Sequence, residues 1–162
     1  MTIILDTTPP TFGPAGNALR LAAHLMTTML WRYGQYPALV TLTDPAISVE
    51  LRAPADLVRL WSPATLDDPG ACLAMARRTA TGLGQPAVCC IHFQTARDEG
   101  YFPRLDSRLL TSHQPPERPP AAPTSPWHVH LPPNPTQAQL ITVVGRMLTA
   151  SSGFDGESPG TT

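Results

Sequence analysis

Thr2-Ile3-Ile4-Leu5-Asp6-Thr7-Thr8-Pro9-Pro10 reads as a short buried strand that ends on an acid, followed by a Gly-containing turn and a long helical stretch. In an open parallel sheet the carboxyl ends of the strands are where ligands bind. A carboxylate with two hydroxyls at such an end offers hard oxygen ligands suited to a small cation. Over residues 15–33, Leu19, Ala22, Ala23, Met26, Met29 and Leu30 recur at helical spacing, and Gly34 stops the helix. Pro37-Ala38-Leu39-Val40-Thr41-Leu42-Thr43 is then a second strand, so the β-α-β order implies a parallel pair joined by a right-handed crossover. Ile47-Ser48-Val49-Glu50-Leu51 alternates apolar and polar, the pattern of a half-exposed strand returning antiparallel at the sheet edge.

Further along, Pro54 opens a short helix over 55–61, and Ser62-Pro63-Ala64-Thr65 breaks it. A second helix is expected over 69–81, with Asp67-Asp68 stabilising its N-terminal dipole and Gly82 and Gly84 ending it. Ala87-Val88-Cys89-Cys90-Ile91-His92-Phe93 is a continuous apolar run of the kind buried on both faces, hence a central strand. Residues 101–110 read as a weak helix, and the proline-rich stretch 113–126 as an extended loop that lacks backbone donors. Trp127-His128-Val129-His130-Leu131 alternates as a fifth strand near the edge, and 136–150 as a closing amphipathic helix with Leu140, Val143, Val144 and Met147 inward. The Ser/Gly-rich tail 151–162 reads as disordered. The expectation is one α/β domain over 1–150, an open, mostly parallel, doubly wound, Rossmann-like sheet of about five strands in the order 3-2-1-4-5, with one antiparallel edge strand and helices on both faces.

Composition narrows the function. The 162 residues are 42% hydrophobic, enough for a sizeable core, with 14% charged residues and a formal net charge of −1. All eleven basic residues are Arg, and Arg77-Arg78 is the only adjacent pair, so the basic stripe of a nucleic-acid binder is missing. No apolar run is long enough to cross a bilayer and no basic leader precedes the first strand, so a cytoplasmic location and no membrane contact are expected. Cys72 and the Cys89-Cys90 pair form neither a disulfide framework nor a CxxC metal spacing and are read as reduced. No G-x-S-x-G motif occurs, and the absence of Lys removes a phosphate-binding P-loop.

The succession of strand, acid with hydroxyls, helix, hairpin, helix pair, central strand, strand and helix resembles that of von Willebrand factor A-type (vWA) domains over roughly residues 2–150. The most specific marks are Asp6-Thr7-Thr8-Pro9-Pro10 in the place of the family's D-x-S-x-S and Ser62-Pro63-Ala64-Thr65 in the place of its threonine loop. The resemblance implies a metal-ion-dependent adhesion site in which Asp6, Thr8 and Thr65 match the first acid, the first hydroxyl and the loop threonine. Pro10 stands where the second hydroxyl belongs, and His92-Phe93-Gln94 lacks the acid expected after the central strand. Mg²⁺ demands near-octahedral oxygen coordination, so its binding is expected to be weak or lost, leaving no functional cofactor. The chain also looks like bacterial A-type domains that act with MoxR-type AAA+ ATPases and a β-propeller-like protein, which implies a non-catalytic adaptor. Its partner-binding rim is then Asp6, Thr8, Pro9, Pro10, Phe12 and Thr65: the proline pair stiffens the loop and Phe12 offers an apolar anchor.

Two sharper chemistries stand beside that reading. An acid ending the first strand is also the plan of haloacid dehalogenase-type hydrolases and phosphatases, with Asp6 as nucleophile, but Thr8 occupies the position of their second acid. His128 and His130 face one side of a strand and, with His92, have the residue types of a transition-metal site. With no acid or Cys beside them, the plainer reading is the solvent face of an edge strand.

Overall fold

The structure, a computed structural model, describes residues 1–7, 12–41, 48–62, 78–79, 82–83, 87–90, 108–113 and 128–149. The fold is mixed α/β. Strands β1 (Thr2–Leu5), β2 (Ala38–Thr41), β3 (Ser48–Glu50), β4 (Ala87–Cys90), β5 (Arg108–Thr111) and β6 (His128–His130) join in the order β3-β2-β1-β4-β5-β6. β1 runs parallel to β2 and to β4, with Ile3 opposite Leu39 and Val88. β3 returns antiparallel on β2, placing Val49 opposite Leu39. β4, β5 and β6 are parallel in turn.

One expectation is corrected. Residues 108–111, read as the end of a weak helix, form β5 between β4 and β6, so the strand expected fifth is the sixth. Arg108-Leu109-Leu110-Thr111 is too short to show a period, and the ladders on both its edges decide its state. The helix expected over 69–81, the loop over 114–126 and the tail over 151–162 lie outside the described residues, apart from positions 78–79.

α1 (Pro14–Arg32) carries the stripe Ala18, Leu19, Ala22, Ala23, Met26 and Leu30, each buried. Gly13 at its N-cap takes φ 138°, and Pro14 follows with its φ already helical. At the other end Gly34, at φ 68°, donates to the Trp31 carbonyl and Gln35 donates to Leu30, the paired bonds of a Schellman stop. The Trp31 indole N–H donates to the Leu51 carbonyl at 2.8 Å and ties this end of α1 to the turn after β3. A 3₁₀ helix, Pro54–Leu60, is closed by Asp56, whose carboxylate accepts from the Arg52 and Ala53 backbone N–H groups at 3.0 and 2.9 Å. Those bonds, Ala53 first, hold the Asp56 carboxyl below the usual carboxylate range. Their contribution is therefore present at neutral pH and lost in acid.

α2 (Gln137–Thr149) starts with a reciprocal capping box, in which Thr136 N–H donates to Gln139 Oε1 at 2.8 Å and Gln139 N–H to Thr136 Oγ1 at 3.2 Å. Its Val143, Val144 and Met147 join α1, the 3₁₀ helix and one face of the sheet, Ile3, Leu5, Leu39, Leu110 and Val129, in a single core. Ile4 and Val40, on the opposite face by strand alternation, are equally buried, so β1 and β2 are covered on both sides. No helix among the described residues is long and apolar enough to cross a membrane.

Met26 sits in the middle of this core without exposure, so Met26→Ala should cost about 2–5 kcal/mol in urea unfolding. Val58→Ala, on the 3₁₀ helix but 66% exposed, should stay within about 0.5 kcal/mol. Equal losses for the two would misplace the core.

Candidate functional site at the strand ends

At the carboxyl end of β1 the chain leaves the sheet through Asp6 and Thr7, both buried, and Phe12 and Gly13 lead into α1. Arg20, on the second turn of α1, is fully buried. Burial lowers the pKa of its guanidinium, and the negative charge of Asp6 opposes that shift. The guanidinium also lies over the Phe12 ring, 4.4 Å from its centroid. Asp6, Arg20 and Phe12 thus form one stack from the buried sheet end to the surface, where Phe12 is 44% exposed. The Thr7 hydroxyl is buried and has no hydrogen-bond partner among the described residues.

Arg20 already brings positive charge to Asp6, while Pro10 and His92-Phe93-Gln94 supply no side-chain carboxylate or hydroxyl. The donor set does not fit an octahedral Mg²⁺. Among the described residues no three His, Cys, Asp or Glu side chains stand together as a metal site. Of the residues expected at the rim, Asp6 and Phe12 are brought together through Arg20, and Thr8, Pro9, Pro10 and Thr65 lie outside the described residues.

A second polar cluster occupies the ends of β5 and β6. Thr111, paired with His130 across the ladder, has its hydroxyl 2.8 Å from His128 Nε2 and 3.2 Å from His130 Nδ1. His130 Nε2 is in turn 3.0 Å from His113 Nδ1. His128 and His130 do share a face, but they are half-buried and linked to each other rather than spread over solvent. His92 lies outside the described residues.

Arg20, Thr111 and His113 are the site residues that sequence reading passes over. An arginine next to Leu19 looks like the polar margin of a helix, and His113 looks like the start of the proline-rich loop. The one available signal was that His113 follows a β-like Leu-Leu-Thr run by two positions, which puts it on the Thr111 side. The chain matches no protein-family model, no curated protein and no solved structure.

Arg20→Met should destabilise the fold by about 3–5 kcal/mol, because it strips the counter-charge from a buried carboxylate. Adding Asp6→Asn should recover most of that loss in the same denaturation assay. A double variant as unstable as the single one would mean that Arg20 serves packing alone. Separately, thermal melts with and without about 10 mM Mg²⁺ should superimpose, since only a ligand held by the native state raises the melting temperature.

Proposed function

We propose that this chain is a non-catalytic protein-interaction module with a doubly wound, vWA-like fold and a degenerate adhesion site. It works as an adaptor in a bacterial multi-component system, with a MoxR-type AAA+ ATPase and a β-propeller-like protein as partners. The observation that carries this reading is the Phe12–Arg20–Asp6 stack: an exposed aromatic ring is held from beneath by a buried guanidinium. Such a ring is ordered before docking and loses little side-chain entropy when a partner covers it. Aromatic anchors of this kind carry much of the binding energy of protein interfaces.

The same stack weighs against chemistry at Asp6. A nucleophilic carboxylate has to reach its substrate, and Asp6 is 6% exposed with its charge set against Arg20. The parallel sheet with β1 at its centre and β3 antiparallel at one edge supports the vWA-like reading of the topology.

The test is binding of the purified chain to the purified MoxR-type ATPase of the same organism, with and without nucleotide. Phe12→Asp should weaken binding by about 30-fold, the factor that corresponds to about 2 kcal/mol at an interface hot spot. Its circular dichroism and melting should stay close to those of the parent protein. Binding at parental affinity by Phe12→Asp would move the interface away from this rim, and no binding by the parent chain would remove the ATPase as partner.

A further inference from the structure

The contact between His113 and His130 has an unusual geometry. Their ring centroids are 5.2 Å apart with planes inclined by 20°, while Nδ1 of one and Nε2 of the other are only 3.0 Å apart. The centroid separation is close to the nitrogen separation plus the two ring radii. The nitrogens therefore lie nearly on the line between the centroids, and the rings meet edge to edge in almost one plane. This is a head-on N–H···N hydrogen bond rather than a face-to-face stack. It requires one proton on that line, and it cannot form with two.

We propose that His113 and His130 form a proton-counting clasp that holds edge strand β6 against β5 at neutral pH and opens in acid. With both rings neutral, one donates to the other. With a single added proton the bond persists in charge-assisted form. With both rings protonated, two N–H groups oppose each other and the clasp parts. The clasp thus holds with no added proton or with one, and is lost only when both rings are protonated.

The consequence is local. Among the described residues β6 has three residues and one neighbouring strand, and the chain continues directly from it through Leu131 to α2. Parting the clasp loosens that edge first, because few ladder bonds hold it. On the clasp's side of the sheet, His128 is the described titratable neighbour, joined through the Thr111 hydroxyl. α1 and α2 meet the other face through Val129, so His24, Arg20, Arg32 and Arg146 belong to that side. β4, beyond β5, has Cys89 and Cys90 as its titratable residues.

The bond from Leu131 N–H to the Thr111 carbonyl, 2.8 Å long, reports on the clasp in native-state amide exchange of the full chain. Its protection factor should fall about tenfold between about pH 7.5 and about pH 4.5, the loss expected when one hydrogen bond breaks and the imidazoles charge. His113→Gln keeps a neutral polar partner and should remove this pH dependence. Unchanged protection in the parent chain, or an equal fall in His113→Gln, would overturn the proposal. A second measurement needs no variant: nitrogen-15 spectra of the histidine rings at about pH 7.5. The bond obliges neutral His113 and His130 to share one tautomer, both Nδ1–H or both Nε2–H. Opposite tautomers would leave two lone pairs or two protons face to face and would rule the clasp out.

Discussion

β1 is covered on both faces and flanked on both edges, and this constraint governs much of what surrounds it. A strand so enclosed must be apolar, and Ile3, Ile4 and Leu5 are without exposure. Asp6 continues the same path before the chain has reached the surface, and it too is buried. A carboxylate in that position carries a heavy desolvation cost unless a positive group accompanies it. Arg20 is that group, and it reaches the sheet end only because α1 begins right after the turn at Gly13-Pro14 and packs its second turn over β1. Phe12 then covers the guanidinium from the solvent side.

How far this could be read from the sequence depends on whether the deciding force is local. β1, α1 and the edge alternation at Ser48–Glu50 were legible because continuous apolar runs, a 3.6-residue stripe and a 2-residue alternation record their own burial. β6 and α2 were legible for the same reason. β5 was not, since four residues do not establish a period and its partners are distant in sequence. Arg20 was illegible in a different way. Its neighbours say only that it sits beside an apolar stripe, and its counter-charge comes from another element. The three imidazoles likewise meet only because β5 and β6 lie side by side in a register that sets Thr111 against His130.

The two polar clusters solve one problem by different chemistry. Both stand at carboxyl ends of parallel strands, where the sheet hands its backbone over to loops and buried polar groups need partners. At β1 the polar group is charged at neutral pH, so the solution is a fixed opposite charge that does not titrate in the physiological range. At β5 and β6 the groups can be neutral, so donors and acceptors are shared through a hydroxyl and ring nitrogens.

That difference has a mechanical side. Arginine keeps its positive charge across the physiological range, whereas a hydrogen bond between two imidazoles depends on how many protons the pair holds. At the central strand Arg20 therefore supplies Asp6 with a positive charge that does not change with pH in that range. The peripheral unit, β6 with α2, combines a short edge strand with the proposed histidine clasp. Phe12 and the histidines stand at separate places in the sheet, so opening of the proposed clasp leaves the Phe12–Arg20 contact untouched. The separation follows from topology: β1 sits inside the sheet and β6 at its edge, with β4 and β5 between them.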